Sequence, residues 1–182
     1  MIARRLAATA AAALLVSLPG TASAELATGV KAPKFVAQGA LAGQGFSFNL
    51  QQALKKGPVV LYFFPKAFTQ GCTLEANAFA EAMPDFEAAG ATVIGMSADD
   101  VSTLKRFSTE ECRDKFAVAS ASPAVIDAYD VAFTRNGEDT GLSNRTSYVI
   151  GKDGSIKLSH SDLDWRQHVS LTLAKVQQLK GG

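Results

Sequence analysis

Six consecutive residues, Val59-Val60-Leu61-Tyr62-Phe63-Phe64, are apolar without a break, and all of them are β-branched, aromatic or leucine. An element with one face in water alternates polar and apolar positions; this run has no polar face. It therefore reads as a strand in the middle of a sheet, covered on both sides. Gly57-Pro58 set its start and Pro65 its end. A second run, Thr92-Val93-Ile94-Gly95-Met96-Ser97, has the same character. Between the two, Ala76, Phe79, Met83 and Phe86 recur at helical spacing and make one apolar face. Pro84 is expected to kink or divide that helix, and Gly90 to close it.

The remaining segments fit the same plan. Residues 25–46 read as an extended opening of short strands or turns, and Leu50–Lys56 as a short helix. Asp99 or Asp100 caps a helix whose inward face is Val101, Leu104 and Phe107, with Cys112 near its end. Residues 120–123 read as a loop, Val125–Tyr129 as a short helix, and the polar stretch 135–144 as a loop. Thr146–Ile150 and Ser155–Ser159 flank Gly151-Lys152-Asp153-Gly154, a hairpin signal. Trp165–Leu179 reads as a last helix with Val169, Leu173, Val176 and Leu179 inward. Alternating strands and helices followed by a hairpin and a helix specify an α/β protein, a mixed central sheet with helices on both faces.

Residues 1–24 stand apart. Arg4-Arg5, the uncharged Ala/Leu-rich run from Leu6 to Leu18 and Ala22-Ser23-Ala24 form the three parts of a secretory signal peptide. The apolar run is shorter than the roughly 20 residues a spanning helix needs. Cleavage after Ala24 leaves 25–182 as one domain of 158 residues, with 16 basic against 17 acidic side chains. That balance argues against nucleic acid as a partner. The expected location is an exported one, a bacterial periplasm, with no membrane attachment after cleavage and disulfides permitted. Two cysteines are too few for a disulfide scaffold or a four-thiolate zinc site.

The chemistry is concentrated in Pro65-Lys66-Ala67-Phe68-Thr69-Gln70-Gly71-Cys72-Thr73-Leu74-Glu75. This loop leaves the carboxyl end of a central strand, the edge where open α/β sheets bind ligands. Cys72 falls in the first helical turn, where free N–H groups and the helix dipole favour an anion and hence a reactive thiolate. Thr69 brings a hydroxyl to the same turn, and Pro65 shields the site without offering an N–H.

This Pro-x-x-x-Thr-x-x-Cys segment resembles the active-site signature of peroxiredoxins, thiol-dependent peroxidases with a thioredoxin-like three-layer fold. Val59–Glu75, Gly90–Ser97 and Asn144–Gly154 carry the resemblance, which extends back to Gly29–Phe35. Gly71-Cys72-Thr73 followed by Glu75-Ala76 is most similar to the bacterioferritin-comigratory-protein, or peroxiredoxin Q, branch. The resemblance implies that Cys72 attacks hydrogen peroxide or an organic hydroperoxide and becomes a sulfenic acid. Thr69 would orient the peroxide, Arg145 stabilise the departing oxygen, and Glu75 orient a basic partner. It implies no cofactor and no metal, a thioredoxin-like or other dithiol reductant, and a monomer.

One position departs from the pattern. Many relatives carry a resolving cysteine five residues after the first, where this chain has Asn77. Some members place it in the following helix, which implies a Cys72–Cys112 disulfide. The polar neighbours of Cys112, Ser108 to Glu111 and Arg113-Asp114, suggest an exposed and mobile position. His160 and His168 lack helix-face metal spacing and read as surface residues. Two other readings compete: a thioredoxin-like disulfide oxidoreductase, which normally needs Cys-x-x-Cys, and a non-catalytic redox sensor or holdase.

Overall fold

A computed structural model describes residues 25–181, so the expected signal segment 1–24 lies outside the described residues. The elements run β1 (Val36–Leu41), β2 (Gln44–Asn49), α1 (Leu50–Lys56), β3 (Val59–Phe63), α2 (Gln70–Ala88), β4 (Thr92–Ser97) and α3 (Val101–Glu110). They continue with β5 (Ala117–Ser120), α4 (Pro123–Ala128), β6 (Ala132–Arg135), β7 (Glu138–Ser143), β8 (Thr146–Ile150), β9 (Ile156–Ser161) and α5 (His168–Gly181). A single turn of 3₁₀ helix, Trp165–Gln167, leads into α5.

Seven strands form one mixed sheet in the order β2-β1-β5-β4-β3-β8-β9. β3, β4 and β5 are parallel, while β8 and β1 flank them antiparallel. Every residue of β3 is buried, as its unbroken apolar run requires. Its side chains alternate between two cores. Val60, Tyr62 and Phe64 pack with Phe79 and Phe86 of α2, Leu104 and Phe107 of α3 and Val176 of α5. Val59, Leu61 and Phe63 pack on the other face with Leu50 and Leu54 of α1 and Ile126 of α4. The result is the helix–sheet–helix sandwich that the two-sided burial demanded.

Several elements differ from expectation. Pro84 does not divide α2, which runs unbroken for 19 residues. An interior proline costs about 3 kcal/mol, but Phe79, Met83 and Phe86 around it are buried, each worth about 1.5–3 kcal/mol. Packing therefore outweighs the lost hydrogen bond. The polar stretch 135–144 is not a loop: β6 and β7 form a separate two-stranded hairpin. Its turn is Asn136-Gly137, both at positive φ (54° and 82°), the pair a tight hairpin turn prefers. β5 runs to Ser120, the first residue of the expected 120–123 loop, and Leu179 is 36% exposed rather than inward. Of the two capping candidates it is Asp100 that accepts from Thr103 N–H, at 2.7 Å.

Candidate active site

α2 begins where β3 ends. Thr69 occupies the N-cap position, and Thr73 N–H is bonded back to Thr69 O at 2.9 Å. The N–H groups of Gly71 and Cys72 precede that first helical bond and point out of the helix start. Cys72 is buried, and its sulfur is a free thiol.

The loop between β3 and α2 is fixed from α3 and the turn before it. Asp99 Oδ2 accepts from Ala67 N–H at 2.8 Å and from Ser97 Oγ at 2.8 Å. Phe68, at φ 62°, sets its ring edge-on to Phe107 at 5.3 Å, and the Arg106 guanidinium lies 5.0 Å from the Phe68 ring. Thr69 Oγ1 donates to Lys66 O at 2.9 Å. Its hydrogen is thus committed to the loop, and its oxygen is left to act as an acceptor. Pro65 is half-buried beside it.

Arg145 reaches this site from the start of β8. Asn144 Oδ1 accepts from the Arg145 backbone N–H at 2.9 Å, and Ser143 Oγ ties the preceding strand to Phe64 O at 2.8 Å. Arg145 is 4% exposed and each of its guanidinium nitrogens has a partner. Nε donates to Leu163 O at 2.9 Å, Nη1 to Glu75 Oε2, and Nη2 lies 3.5 Å from Cys72 Sγ. Burial opposes its charge, but Glu75 and Cys72 outweigh that and hold Arg145 above its ordinary range. A Cβ on Gly71 would stand 3.2 Å from Arg145 Nη2 and 4.0 Å from the Trp165 ring, so the absence of a side chain lets the guanidinium approach.

The structure brings Cys72, Glu75 and Arg145 into contact; Thr69 stands at the N-cap of the same helix, and Pro65 in the loop before it. Two expectations are corrected. Cys112 is fully buried, not exposed: it packs in the same apolar cluster as Cys72, Phe79, Phe107 and Phe116. Of its polar neighbours Thr109, Glu110, Arg113 and Asp114 are exposed while Ser108 is buried with it, and burial pushes its thiol well up, helped by Glu111 and Asp114. His168 is not a surface residue either. It is fully buried at the start of α5, with its ring 4.6 Å from that of His160.

His168 is the part of the site that sequence reading missed. Its Nε2 lies 2.9 Å from Asp162 O, its Nδ1 lies 2.8 Å from Ser147 Oγ and 3.9 Å from Glu75 Oε1. A signal was present: His168, Thr172 and Val176 follow helical spacing and form the buried stripe of α5. Burial pushes Glu75 up to about 8 against the pull of Arg145, and burial pushes His168 down to about 4. Both shifts favour the uncharged forms.

A family model described as the AhpC/TSA family matches residues 28–159. Peroxiredoxin Q, chloroplastic, of Suaeda salsa is 32% identical over 133 residues, which are 72% of this chain and 61% of that protein. The chain thus spans about six tenths of that relative's length. Peroxidoxin BcpB of Mycobacterium tuberculosis superposes with a TM-score of 0.74 at 28% identity, over 84% of this chain and 97% of that one. The bacterioferritin comigratory protein of Xanthomonas campestris, studied for alkyl peroxide reduction, gives 0.69 at 26% identity, over 79% and 91% of the two chains.

Proposed function

Because the chain belongs to the AhpC/TSA family, on its peroxiredoxin Q and Bcp side, we propose that it is a thiol-dependent peroxidase acting on hydrogen peroxide and organic hydroperoxides. The observation that carries this reading is the buried Arg145 guanidinium held between Glu75 and the Cys72 sulfur.

The chemistry follows from that arrangement. Cys72 thiolate attacks one peroxide oxygen; an S–O bond forms and the O–O bond breaks. Sulfur loses two electrons to the peroxide, giving Cys72 sulfenic acid and an oxyanion that takes up a proton to leave as water or an alcohol. Negative charge moves from sulfur to the departing oxygen. A guanidinium already fixed beside the sulfur stabilises that charge without reorganising. Thr69 Oγ1, with its hydrogen committed to Lys66 O, accepts from the peroxide O–H and aligns the O–O bond with the sulfur. Pro65 closes the site over the reacting atoms.

Cys112 is the proposed resolving thiol, supported by its place in the same apolar cluster as Cys72. The electron donor is a thioredoxin-like or other dithiol protein, and the working form is a monomer. The tripartite pattern of residues 1–24 supports export of a mature 25–182 domain to an oxidising compartment such as a bacterial periplasm.

Stopped-flow mixing of the reduced protein with hydrogen peroxide tests the assignment. Rapid loss of the Cys72 thiol is expected in the wild type, followed by loss of Cys112 as the bridge forms; Cys112→Ala should lose one thiol at the same initial rate, and Cys72→Ser none. Arg145→Lys retains charge but not the fork that touches Glu75 and Cys72 together, and is expected to react about 10²-fold more slowly. Wild-type speed in Cys72→Ser would refute the reading.

A further inference from the structure

Two neighbouring carboxylates, Asp99 and Asp100, follow β4, and only the second caps α3. Asp99 turns the other way. Its Oδ2 accepts from Ala67 N–H and from Ser97 Oγ, each at 2.8 Å. The turn that carries it is held from two parallel strands. Asp99 N–H donates to Ser97 Oγ at 3.3 Å, and Ser120 Oγ at the end of β5 donates to Asp99 O at 2.8 Å. Ser97 is fully buried and Asp99 half-buried. The carboxylate is thus a fixed point at the carboxyl edge of the sheet, and the N–H it grips belongs to the loop before Cys72.

That N–H and the carbonyl that receives the Thr69 hydroxyl are two ends of one peptide group. In the trans peptide, Lys66 O and Ala67 N–H lie in one plane and point in opposite directions. Asp99 accepts at one end at 2.8 Å, and Thr69 Oγ1 donates to the other at 2.9 Å. Fixing the N–H therefore fixes the carbonyl. A carboxylate on the N–H also polarises the group and makes Lys66 O a stronger acceptor. Between Ala67 and Thr69, Phe68 sits at φ 62°, a region uncommon for a side chain of its kind, so the loop requires a hold from outside.

We propose that Asp99 is a positioning residue for the peroxide step: through the Lys66–Ala67 peptide it commits the hydrogen of Thr69 Oγ1 to the loop, so that the oxygen meets the peroxide as an acceptor. Without that hold the hydroxyl is free to turn its hydrogen outward, and the lone pair that aligns the O–O bond with Cys72 is lost for part of the time. The Asp99 carboxylate is bonded to Ala67 and Ser97, not to Cys72. It acts on the rate through Thr69. The inference rests on the peroxidase reading and on the acceptor role given there to Thr69.

A double-mutant cycle tests it, in proteins that also carry Cys112→Ala so that a single thiol is followed. The quantity measured is the rate constant for loss of the Cys72 thiol to hydrogen peroxide. Asp99→Ala removes the acceptor and is expected to slow that reaction about tenfold; Asp99→Asn, which keeps an oxygen in place without the charge, should recover most of the loss. Thr69→Val removes the hydroxyl at nearly constant shape. In that background Asp99→Ala should cost less than about twofold, because the group it acts through is gone. Methyl methanethiosulfonate has no O–H to align, so its reaction with Cys72 should be slowed by less than about twofold in Asp99→Ala, whereas a merely structural role would slow both reactions alike. An Asp99→Ala rate equal to that of wild type, or a loss of about tenfold that persists in Thr69→Val, overturns the proposal. Should Asp99→Ala fail to fold, Ser97→Ala loosens the carboxylate without deleting it and carries the same cycle, with a loss of about threefold expected alone and none on Thr69→Val. A wild type whose Cys72 reacts with the thiosulfonate but not with peroxide refutes the peroxidase reading and this proposal with it; a peroxide-reactive wild type without the coupling refutes the proposal alone.

Discussion

At the scale of single residues, the site depends on a missing side chain as much as on those present. Gly71 lies in the first turn of α2, where alanine is the better helix former by about 0.5–1 kcal/mol. A Cβ there would meet Arg145 Nη2 at 3.2 Å. The guanidinium cannot step aside freely, since Nε and Nη1 are bound to Leu163 O and Glu75. Gly71→Ala is therefore expected to raise the melting temperature slightly while slowing the reaction with peroxide by about tenfold, because tenths of an ångström matter at a charge-stabilising donor. Loss of stability together with loss of rate would mean that the glycine serves the fold instead. Cys72 was legible from its place in the first turn after β3, whereas Glu75 and Arg145 were legible only through the resemblance to a known family. His168 was not, because it was judged by its spacing to His160 rather than by the face of the helix it begins.

At the scale of elements, what the sequence disclosed depended on burial. β3, β4 and α2 carry unbroken apolar runs or a strong apolar stripe, and their ends fell within a residue or two of expectation. β5 is only four residues long, and β6 and β7 are mostly exposed. Such strands are held by their neighbours and turns, not by a pattern of their own. Asn136-Gly137 was the one local clue to the second hairpin. The same dependence misplaced Cys112, whose flanking polar residues face water while its own side chain turns inward.

That burial has a consequence for the proposed disulfide. Cys112 follows the end of α3, its N–H bonded to Phe107 O at 3.0 Å. Phe107 in turn packs beneath Phe64 and Phe68 of the Cys72 loop. Beyond Cys112, Arg113 and Asp114 are both at positive φ (52° and 58°), which is unfavourable for side chains of that kind. Opening the turn releases that strain, so it is the segment best placed to yield. Peroxide treatment is expected to give a monomer with an internal bridge, in which peptide mapping joins Cys72 to Cys112. Amide exchange over residues 108–115 should be faster in that oxidised form than in the reduced one. A persistent sulfenic acid, or a Cys72–Cys72 dimer, would make the enzyme one-cysteine or intermolecular and leave Cys112 a packing residue.

At the scale of the whole molecule, the contact between α2 and α5 links protonation to stability. Glu75 moves from an ordinary 4.5 up to about 8 on folding, so its contribution to stability is complete below 4.5 and is lost as pH rises through about 8. His168 moves from an ordinary 6.5 down to about 4, so its contribution is complete above 6.5 and is lost as pH falls through about 4. Between 4.5 and 6.5 the two slopes are opposite in sign, and each is limited to about 1.4 kcal/mol per pH unit. Denaturant titrations should thus find the pair's effect nearly flat across that window in the wild type and declining above it. Glu75→Gln should gain stability with rising pH in the window, and His168→Asn should lose it. Parallel slopes in all three proteins would show that the two groups do not titrate as described.

Across that window the unfolded chain carries a histidinium and a glutamate anion, and the folded chain carries neither, although both forms hold the same number of protons. Folding there amounts to an internal neutralisation, a zwitterion discharged as α5 docks on α2. For these two groups the medium is neither donor nor acceptor, so their part in the heat of unfolding should not change when one buffer is exchanged for another with a different enthalpy of ionisation. Above pH 6.5 the accounting opens to the solvent, because unfolding then frees the carboxyl hydrogen, and the measured heat should begin to follow the buffer.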